Sequence, residues 1–213
     1  LLLKRHGLSY SWYSLPEGEE IRGLNRADRV LAISQPDRQW LAARLDRPVH
    51  LLEPILAPCP LPPPGWPATL LLVGSDNPHN RVGLQWFLAQ VWPELQRTCP
   101  GVRLWLAGPI SNPPLNQAAI TCHGLVDDLR PLYAQAWICL NPVLEGTGLS
   151  IKSLEALAYA RPVMATPAAS RGLEDWVGCG LWVAEPACWL ERLQELLRDG
   201  KLREQGMAAA ASQ

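Results

Sequence analysis

Residues 141 to 167 read NPVLEGTGLSIKSLEALAYARPVMATP, and this stretch decides the fold. An apolar run from Trp137 to Leu140 leads into it as a buried strand. Gly146-Thr147-Gly148 then turn the chain, a helix follows from Leu149, and Pro162 to Ala165 return as a second buried strand. Glycines in the turn let backbone come close to a ligand. The helix N-terminus behind them offers free N–H groups and a partial positive charge, which together suit an anion. Lys152 lies in the first turn, where a cation opposes the helix dipole, so its placement makes better sense with an anion nearby. Glu155 shares its face, while Ile151, Leu154, Leu157 and Ala158 mark the buried face. An isolated Lys/Glu pair at this spacing is also what an ordinary solvated helix shows, and it is worth only a few tenths of a kcal/mol. The distinguishing point is its coincidence with a glycine turn in one strand–turn–helix unit.

Outward from this unit the same alternation continues. Strands are predicted at Thr69 to Val73, Val102 to Ala107, Ile120 to His123 and Leu181 to Ala184. Helices are predicted at Arg81 to Arg97, Asp127 to Gln135, near Leu173 and from Ala187 to Arg198. Short apolar strands alternating with amphipathic helices mean an α/β, doubly wound parallel sheet covered on both faces, here spanning residues 68–199. The tail at 200–213 is helix-prone but lacks an apolar face, so it is expected to pack on a neighbouring domain. In a doubly wound sheet the first and fourth strands are neighbours at the switch point, and ligands bind beyond their carboxyl ends. Those ends carry Gly74-Ser75-Asp76-Asn77-Pro78-His79-Asn80 and the Pro142 to Gly148 loop, so the two most ligand-like loops converge.

Upstream, residues 1–53 show strand–helix–strand alternation: a strand at Leu1 to Lys4, a helix at Glu17 to Ala27, a strand at Arg29 to Ser34, a helix at Pro36 to Leu45 and a strand at Val49 to Leu52. That is too few strands to bury a sheet on both faces, and it reads as the remnant of another α/β domain. Between the two lies PILAPCPLPPPGWP, residues 54–67, whose seven prolines predict a stiff linker and a domain boundary. The absence of an initiator Met agrees with a fragment or a processed chain.

Composition narrows the partners. Net charge is −1, with 18% charged residues, which provides no electrostatic footprint for nucleic acid and no basic helix for a membrane surface. No apolar run is long enough to cross a bilayer. The six cysteines form no CxxC and no Cys/His spacing that suits zinc. Cys122 and Cys139 fall in strands, where a thiol behaves as a small hydrophobe, so reduced cysteines and a cytoplasmic setting are expected. Of the ten tryptophans, Trp40, Trp86, Trp105, Trp137 and Trp189 fall in helix or strand patterns, so most are expected in core or interdomain packing.

The chemistry of the convergent loops points to a phosphate ester. Neither GxGxxG after the first strand nor GxxxxGK[ST] is present. The Gly146–Gly148 backbone, Lys152 and, at the start of the first helix, Arg81 are the candidate phosphate contacts, and Gly74 and Ser75 of the facing loop are further candidates for binding the nucleotide sugar. Glu155 offers a carboxylate that can accept two hydroxyls of a ribose. A nucleoside diphosphate fits this inventory without a metal.

The run GTGLSIKSLEALAYARPVMATP, preceded by NPV, resembles the donor-binding signature of GT-B glycosyltransferases, in particular family 4-like enzymes. VGSDNPHNRVGLQWFL, HGLVDDLRPLYAQAWICLNP and ADRVLAIS are similar to further segments of that family, in the same order. The resemblance implies a nucleotide-sugar donor (a UDP- or GDP-sugar), no cofactor and no metal, an acceptor of unknown identity, and retention of anomeric configuration. By position, Glu155 would bind the ribose hydroxyls, Gly146-Thr147-Gly148-Leu149 would hold diphosphate or sugar, Lys152 or Arg81 would neutralise charge, and the loop around Leu125 and Val126 would border the base. His6-Gly7 looks like the His-Gly of the N-terminal domain that faces the transferred sugar, and Glu145 is an uncertain equivalent of a family glutamate; these two are the catalytic candidates. Nine residues separate Glu145 from Glu155 where the family has seven. Ala160 replaces the family's usual glycine, which is tolerable if the backbone stays helical.

A whole GT-B enzyme needs two Rossmann-like domains. This chain reads as the C-terminal, donor-binding one plus a remnant, so little transfer is expected from it alone, and any peripheral membrane contact falls to the missing part. Two alternatives stay open: another GT-B activity such as a sugar-nucleotide epimerase, and a non-catalytic degenerate domain that binds proteins through a tryptophan-rich surface, recognisable by exposed tryptophans and a blocked crevice.

Overall fold

The structure, a computed structural model, describes residues 16–65, 68–146 and 148–212. The first described unit is small. Helix α1 (Glu17–Leu24) precedes strand β1 (Val30–Ala32), helix α2 (Gln35–Ala42) and strand β2 (Val49–Leu51). β1 and β2 pair in parallel, Val30 against Val49. Ser34 caps α2 by accepting the Asp37 N–H at 3.2 Å. Val30 and Ala32 are buried, whereas Leu31 between them is 59% exposed, with Ile33 and Leu52 also exposed. Parallel strands normally have both faces covered, so this two-stranded sheet presents a face that other structure ordinarily covers.

The proline-rich segment after it is strapped to the main domain. Cys59 N–H donates to the Ala158 carbonyl at 2.8 Å and Leu61 N–H to the Tyr159 carbonyl at 3.3 Å. The Arg161 guanidinium reaches the Pro62 carbonyl at 2.6 Å, and the Trp137 indole N–H reaches the Gly65 carbonyl at 2.7 Å. Prolines leave carbonyls without competing donors of their own, and the domain supplies the donors.

The main domain follows the predicted architecture. Strands β3 (Thr69–Val73), β4 (Arg103–Ala107), β5 (Ile120–Gly124), β6 (Ala136–Asn141), β7 (Val163–Ala165) and β8 (Leu181–Val183) form one sheet, every pairing parallel. Their order is β5-β4-β3-β6-β7-β8, so the first and fourth strands of the domain lie side by side at the switch point. Alternation along β3 assigns the two layers. Leu70 and Leu72 join Phe87, Trp92, Leu104, Ile138, Met164 and Trp189 on one face. Leu71 joins Tyr133, Cys139, Leu157, Val163 and Leu181 on the other.

The helices depart from expectation in three places. The single helix expected at Arg81 to Arg97 is two, α3 (Pro78–Gln90) and α4 (Trp92–Thr98), because Pro93 has no N–H to bond the carbonyl four residues back. α3 also starts earlier, where the Asn77 side chain accepts the Asn80 N–H at 2.9 Å. The helix expected at Asp127 to Gln135 begins only at Arg130, as α5 (Arg130–Gln135), and α6 (Ile151–Ala158) follows the glycine turn.

Ala160 is not helical. Its φ is +53°, and it ends α6 with a Schellman pair, Arg161 N–H to the Ala156 carbonyl at 2.9 Å and Ala160 N–H to the Leu157 carbonyl at 2.8 Å. The expectation that an alanine would sit in helical backbone there is thus corrected: the position is left-handed, and an alanine occupies it at some strain.

At the C-terminus, α7 (Trp189–Arg198) is followed by α8 (Gly200–Ala211). This last helix packs on the helices Ile151–Ala158 and Trp189–Arg198 of the same domain. Its lack of an apolar stripe is explained by close approach: Gly206 lies so near Trp182 that a Cβ there would meet the indole ring at 1.9 Å. Among the described residues no helix is long and apolar enough to cross a membrane.

Candidate functional site

At the switch point, beyond the carboxyl ends of β3 and β6, lies a cleft of about 650 Å³. One wall is the β3 end and the start of α3, with Gly74, Ser75, Asn77, His79 and Asn80. The opposite wall is Gly146, Gly148 and Leu149 with Ser150, Ile151, Lys152 and Glu155 from the start of α6. Gly108, Pro109, Leu125, Val126 and Leu129 close the end below β4 and β5.

The backbone brings these walls together at defined points. Gly108 has φ +87°, and a Cβ there would meet the Gly74 carbonyl at 2.5 Å, a conformation and an approach that glycine alone accommodates without strain. Gly74 N–H donates to the Ala107 carbonyl at 2.9 Å, and the Gly108 N–H to the Gly124 carbonyl at 2.7 Å, so the ends of β3, β4 and β5 are laced edge to edge. Across the cleft, Asn141 is 2% exposed. Its amide donates to Ser150 Oγ at 2.7 Å and Ser153 Oγ at 2.9 Å, which aligns the start of α6 with the end of β6. The Asn141 Oδ1 and the His79 Nδ1 are buried without a protein partner, and both residues line the cleft. Such orphaned polar atoms are uncommon in a finished core.

Lys152 reaches from α6 toward the β3 loop. Its ammonium donates to Asn80 Oδ1 at 2.6 Å, and the Asn80 amide donates in turn to the Ser75 carbonyl at 3.0 Å. Burial pushes the Lys152 pKa down from 10.5 to about 8. The cleft therefore carries a largely desolvated cation held by a neutral amide. One turn further on, Glu155 lines the same wall and accepts a hydrogen bond from the Tyr133 hydroxyl at 3.0 Å.

Of the residues singled out from the sequence, the cleft brings together Gly74, Ser75, Val126, Gly146, Gly148, Leu149, Lys152 and Glu155. Thr147 and His6 lie outside the described residues. Glu145 is exposed on its loop, next to Gly146 of the cleft wall. Arg81, expected as a phosphate contact, engages Asp76 at 2.5 Å, the Ile110 carbonyl at 3.1 Å and the Asn112 carbonyl. It staples the β3 and β4 loops, and it holds the Asp76 carboxyl below its ordinary range. Asn80, Asn141 and Tyr133 had no role assigned from sequence; only the 72-residue and 22-residue separations closed by the fold connect Asn80 to Lys152 and Tyr133 to Glu155.

The crevice is open, and of the described tryptophans only Trp40 is exposed, which disfavours a tryptophan-rich docking domain. Residues 67–199 match the family described as glycosyl transferases group 1. The chain belongs to that family. A Klebsiella pneumoniae protein described as an uncharacterized 44.6 kDa protein in the cps region is 29% identical over 116 residues, covering 48% of this chain and 30% of that protein. Among solved structures, the chain is similar to a point mutant of TarM from S. aureus in complex with fondaparinux, alpha-GlcNAc-glycerol and UDP, at 12% identity and TM-score 0.77, over 95% of this chain and 45% of that one. It is likewise similar to Anabaena Alr3699/HepE in complex with UDP and glucose, at 14% identity and TM-score 0.71, over 92% of this chain and 60% of that one. The chain thus spans less than two thirds of the proteins it matches. The domain at 68–199 is the Rossmann-like half of a GT-B fold.

Proposed function

We propose that this glycosyltransferase-family domain binds a nucleotide-diphospho-sugar and serves as the donor half of a sugar-transfer reaction. The observation that carries the reading is the shared face of α6: Lys152, held toward the Ser75 loop by Asn80, and Glu155, one turn deeper, both on the wall of the switch-point cleft. In this arrangement the diphosphate lies over the N-terminus of α6 and against the Lys152 ammonium, where helix dipole and cation act on the same charge. The Glu155 carboxylate accepts the two ribose hydroxyls, and Leu125, Val126 and Leu129 border the base.

The chemistry follows from where charge develops. As the bond from sugar to diphosphate breaks, negative charge grows on the leaving oxygen, and pre-placed N–H groups with Lys152 stabilise it without reorganisation. That division of labour makes the domain's own contribution metal-independent in this proposal. The acceptor and the second half of the cleft come from the remainder of the protein. Retention of configuration, implied by the family resemblance, is read from the anomer of the product. UDP stands in three of the structures the chain resembles, which makes uridine nucleotides the first to test.

Calorimetric titration with UDP-, GDP- and ADP-sugars tests the reading. Micromolar to millimolar binding of at least one nucleotide, weakened about tenfold or more by Glu155→Ala through loss of charge-assisted hydrogen bonds, is the expected result. No binding at millimolar ligand, or an unchanged affinity in Glu155→Ala, overturns it.

A further inference from the structure

Glu155 alone does not define how its carboxylate is aimed. A glutamate side chain has three rotatable bonds, and binding a vicinal diol through two hydrogen bonds requires one orientation of them. The neighbouring groups supply that orientation. Tyr133 is 1% exposed, is not part of the cleft wall, and points its hydroxyl at Glu155 Oε2 from behind, at 3.0 Å.

Tyr133 is itself fixed at two places, the second of them braced in turn by the strap. Its ring stacks on Tyr159, with centroids 4.8 Å apart and planes 27° apart. Its carbonyl accepts the Nε–H of Arg161 at 2.7 Å. Arg161, 0% exposed, is tied by another nitrogen to the Pro62 carbonyl of the proline-rich strap. Burial also raises the phenol's pKa well above its ordinary value, so it stays protonated and keeps its O–H to donate. A phenol held rigidly and aimed at one oxygen of a site carboxylate leaves the other oxygen and the remaining lone pairs for a ligand.

We propose that Tyr133 is a positioning residue for nucleotide recognition: through its hydroxyl it holds the Glu155 carboxylate in the orientation that accepts a ribose diol, and the Arg161–strap contact holds Tyr133. The inference rests on the nucleotide reading above. It predicts a selective effect, because Tyr133 acts on the ligand only through Glu155 and therefore only on the ribose hydroxyls.

The test uses the full chain, titrated with UDP and GDP and with their 2′,3′-dideoxy counterparts. The parent is expected to prefer the ribose form of whichever nucleotide it binds. Tyr133→Phe, which keeps the ring and removes only the hydroxyl, is expected to lower affinity for the ribose form about tenfold, the size of a lost hydrogen bond to a charged group, while the dideoxy form is bound about as well as by the parent. Glu155→Gln is expected to remove the ribose preference as well. Since the ratio of the two affinities is a property of the folded molecules alone, partial destabilisation of Tyr133→Phe leaves the readout intact.

Equal losses for both ligand forms, an unchanged ratio, or complete failure of Tyr133→Phe to fold would assign the hydroxyl to the core and overturn the proposal. Two failures are distinguishable. If Glu155→Gln abolishes the ribose preference and Tyr133→Phe preserves it, only the positioning role is wrong; if the parent binds neither nucleotide, or Glu155→Gln keeps the preference, the nucleotide reading falls and this inference with it.

Discussion

Lys152 offers a sharp perturbation, because stability and binding should move in opposite directions when its charge is removed. In the ligand-free protein, burial holds its pKa at about 8 instead of 10.5. At about 1.36 kcal/mol per pH unit, the buried ammonium costs the fold about 3 kcal/mol near neutral pH. Methionine has a similar unbranched stem and no charge. Lys152→Met removes that cost but leaves Asn80 Oδ1 without its donor, a loss of about 1 kcal/mol. The net is a gain of about 2 kcal/mol, which for a chain of this size raises Tm by about 4–8 °C. Affinity for a nucleoside diphosphate should fall at least about tenfold, since a charge-assisted contact is lost.

The pH dependence fixes the sign. With the folded pKa below the unfolded one, the penalty is fully present below about pH 8 and is relieved as pH rises toward 10.5, where the folded protein has already lost the proton that the unfolded chain still carries. The Tm advantage of Lys152→Met should therefore shrink between about pH 8 and pH 10. Differential scanning fluorimetry across that range, with calorimetric titration of UDP and GDP at neutral pH, reads both quantities. A variant that is less stable than the parent at neutral pH, or as stable but still binding nucleotide fully, refutes the reasoning.

Three further outcomes are expected. Ala160→Gly should raise Tm by about 1–4 °C, because φ +53° strains alanine by about 1 kcal/mol and glycine much less; a fall in Tm would mean that the buried methyl outweighs the strain. Arg161→Met strands the Tyr133 and Pro62 carbonyls, so it should cost about 3 kcal/mol and speed limited proteolysis between residues 54 and 65; an unchanged digestion pattern would show that the strap is held by other contacts. Gly83→Ala brings a Cβ to 2.4 Å from the Pro142 carbonyl. The resulting shift of α3 against the β6 loop should lower stability by about 1–3 kcal/mol and weaken nucleotide binding, as followed by thermal melts with and without ligand.

Much of this was legible in the residues. Three-leucine runs such as Leu70–Leu72, buried on both faces, alternate with amphipathic helices, and a parallel sheet with its switch point between the first and fourth strands follows from that alternation. Lys152 and Glu155 were legible because helical spacing alone puts them on one face. Pro93 was equally visible, yet the apolar periodicity across it masked the break between α3 and α4. Ala160 was unreadable as a left-handed residue because the usual glycine signal is absent and only the Schellman bonds reveal it. Arg81 looked like an anion contact because of where its backbone lies; its destination depends on two loop carbonyls about thirty residues away, which spacing cannot show. The same limit hid Asn80 and Tyr133, whose roles exist only once α3, α5 and α6 are packed on the sheet.

The most direct measurement is a crystal structure of the chain grown with UDP or with the sugar nucleotide that titrates most tightly. The expected density places the diphosphate at the N-terminus of α6 within hydrogen-bonding reach of Lys152 Nζ, and both ribose hydroxyls on the Glu155 carboxylate. Nucleotide bound elsewhere, or bound in the cleft with its ribose turned away from Glu155, would contradict the proposed site.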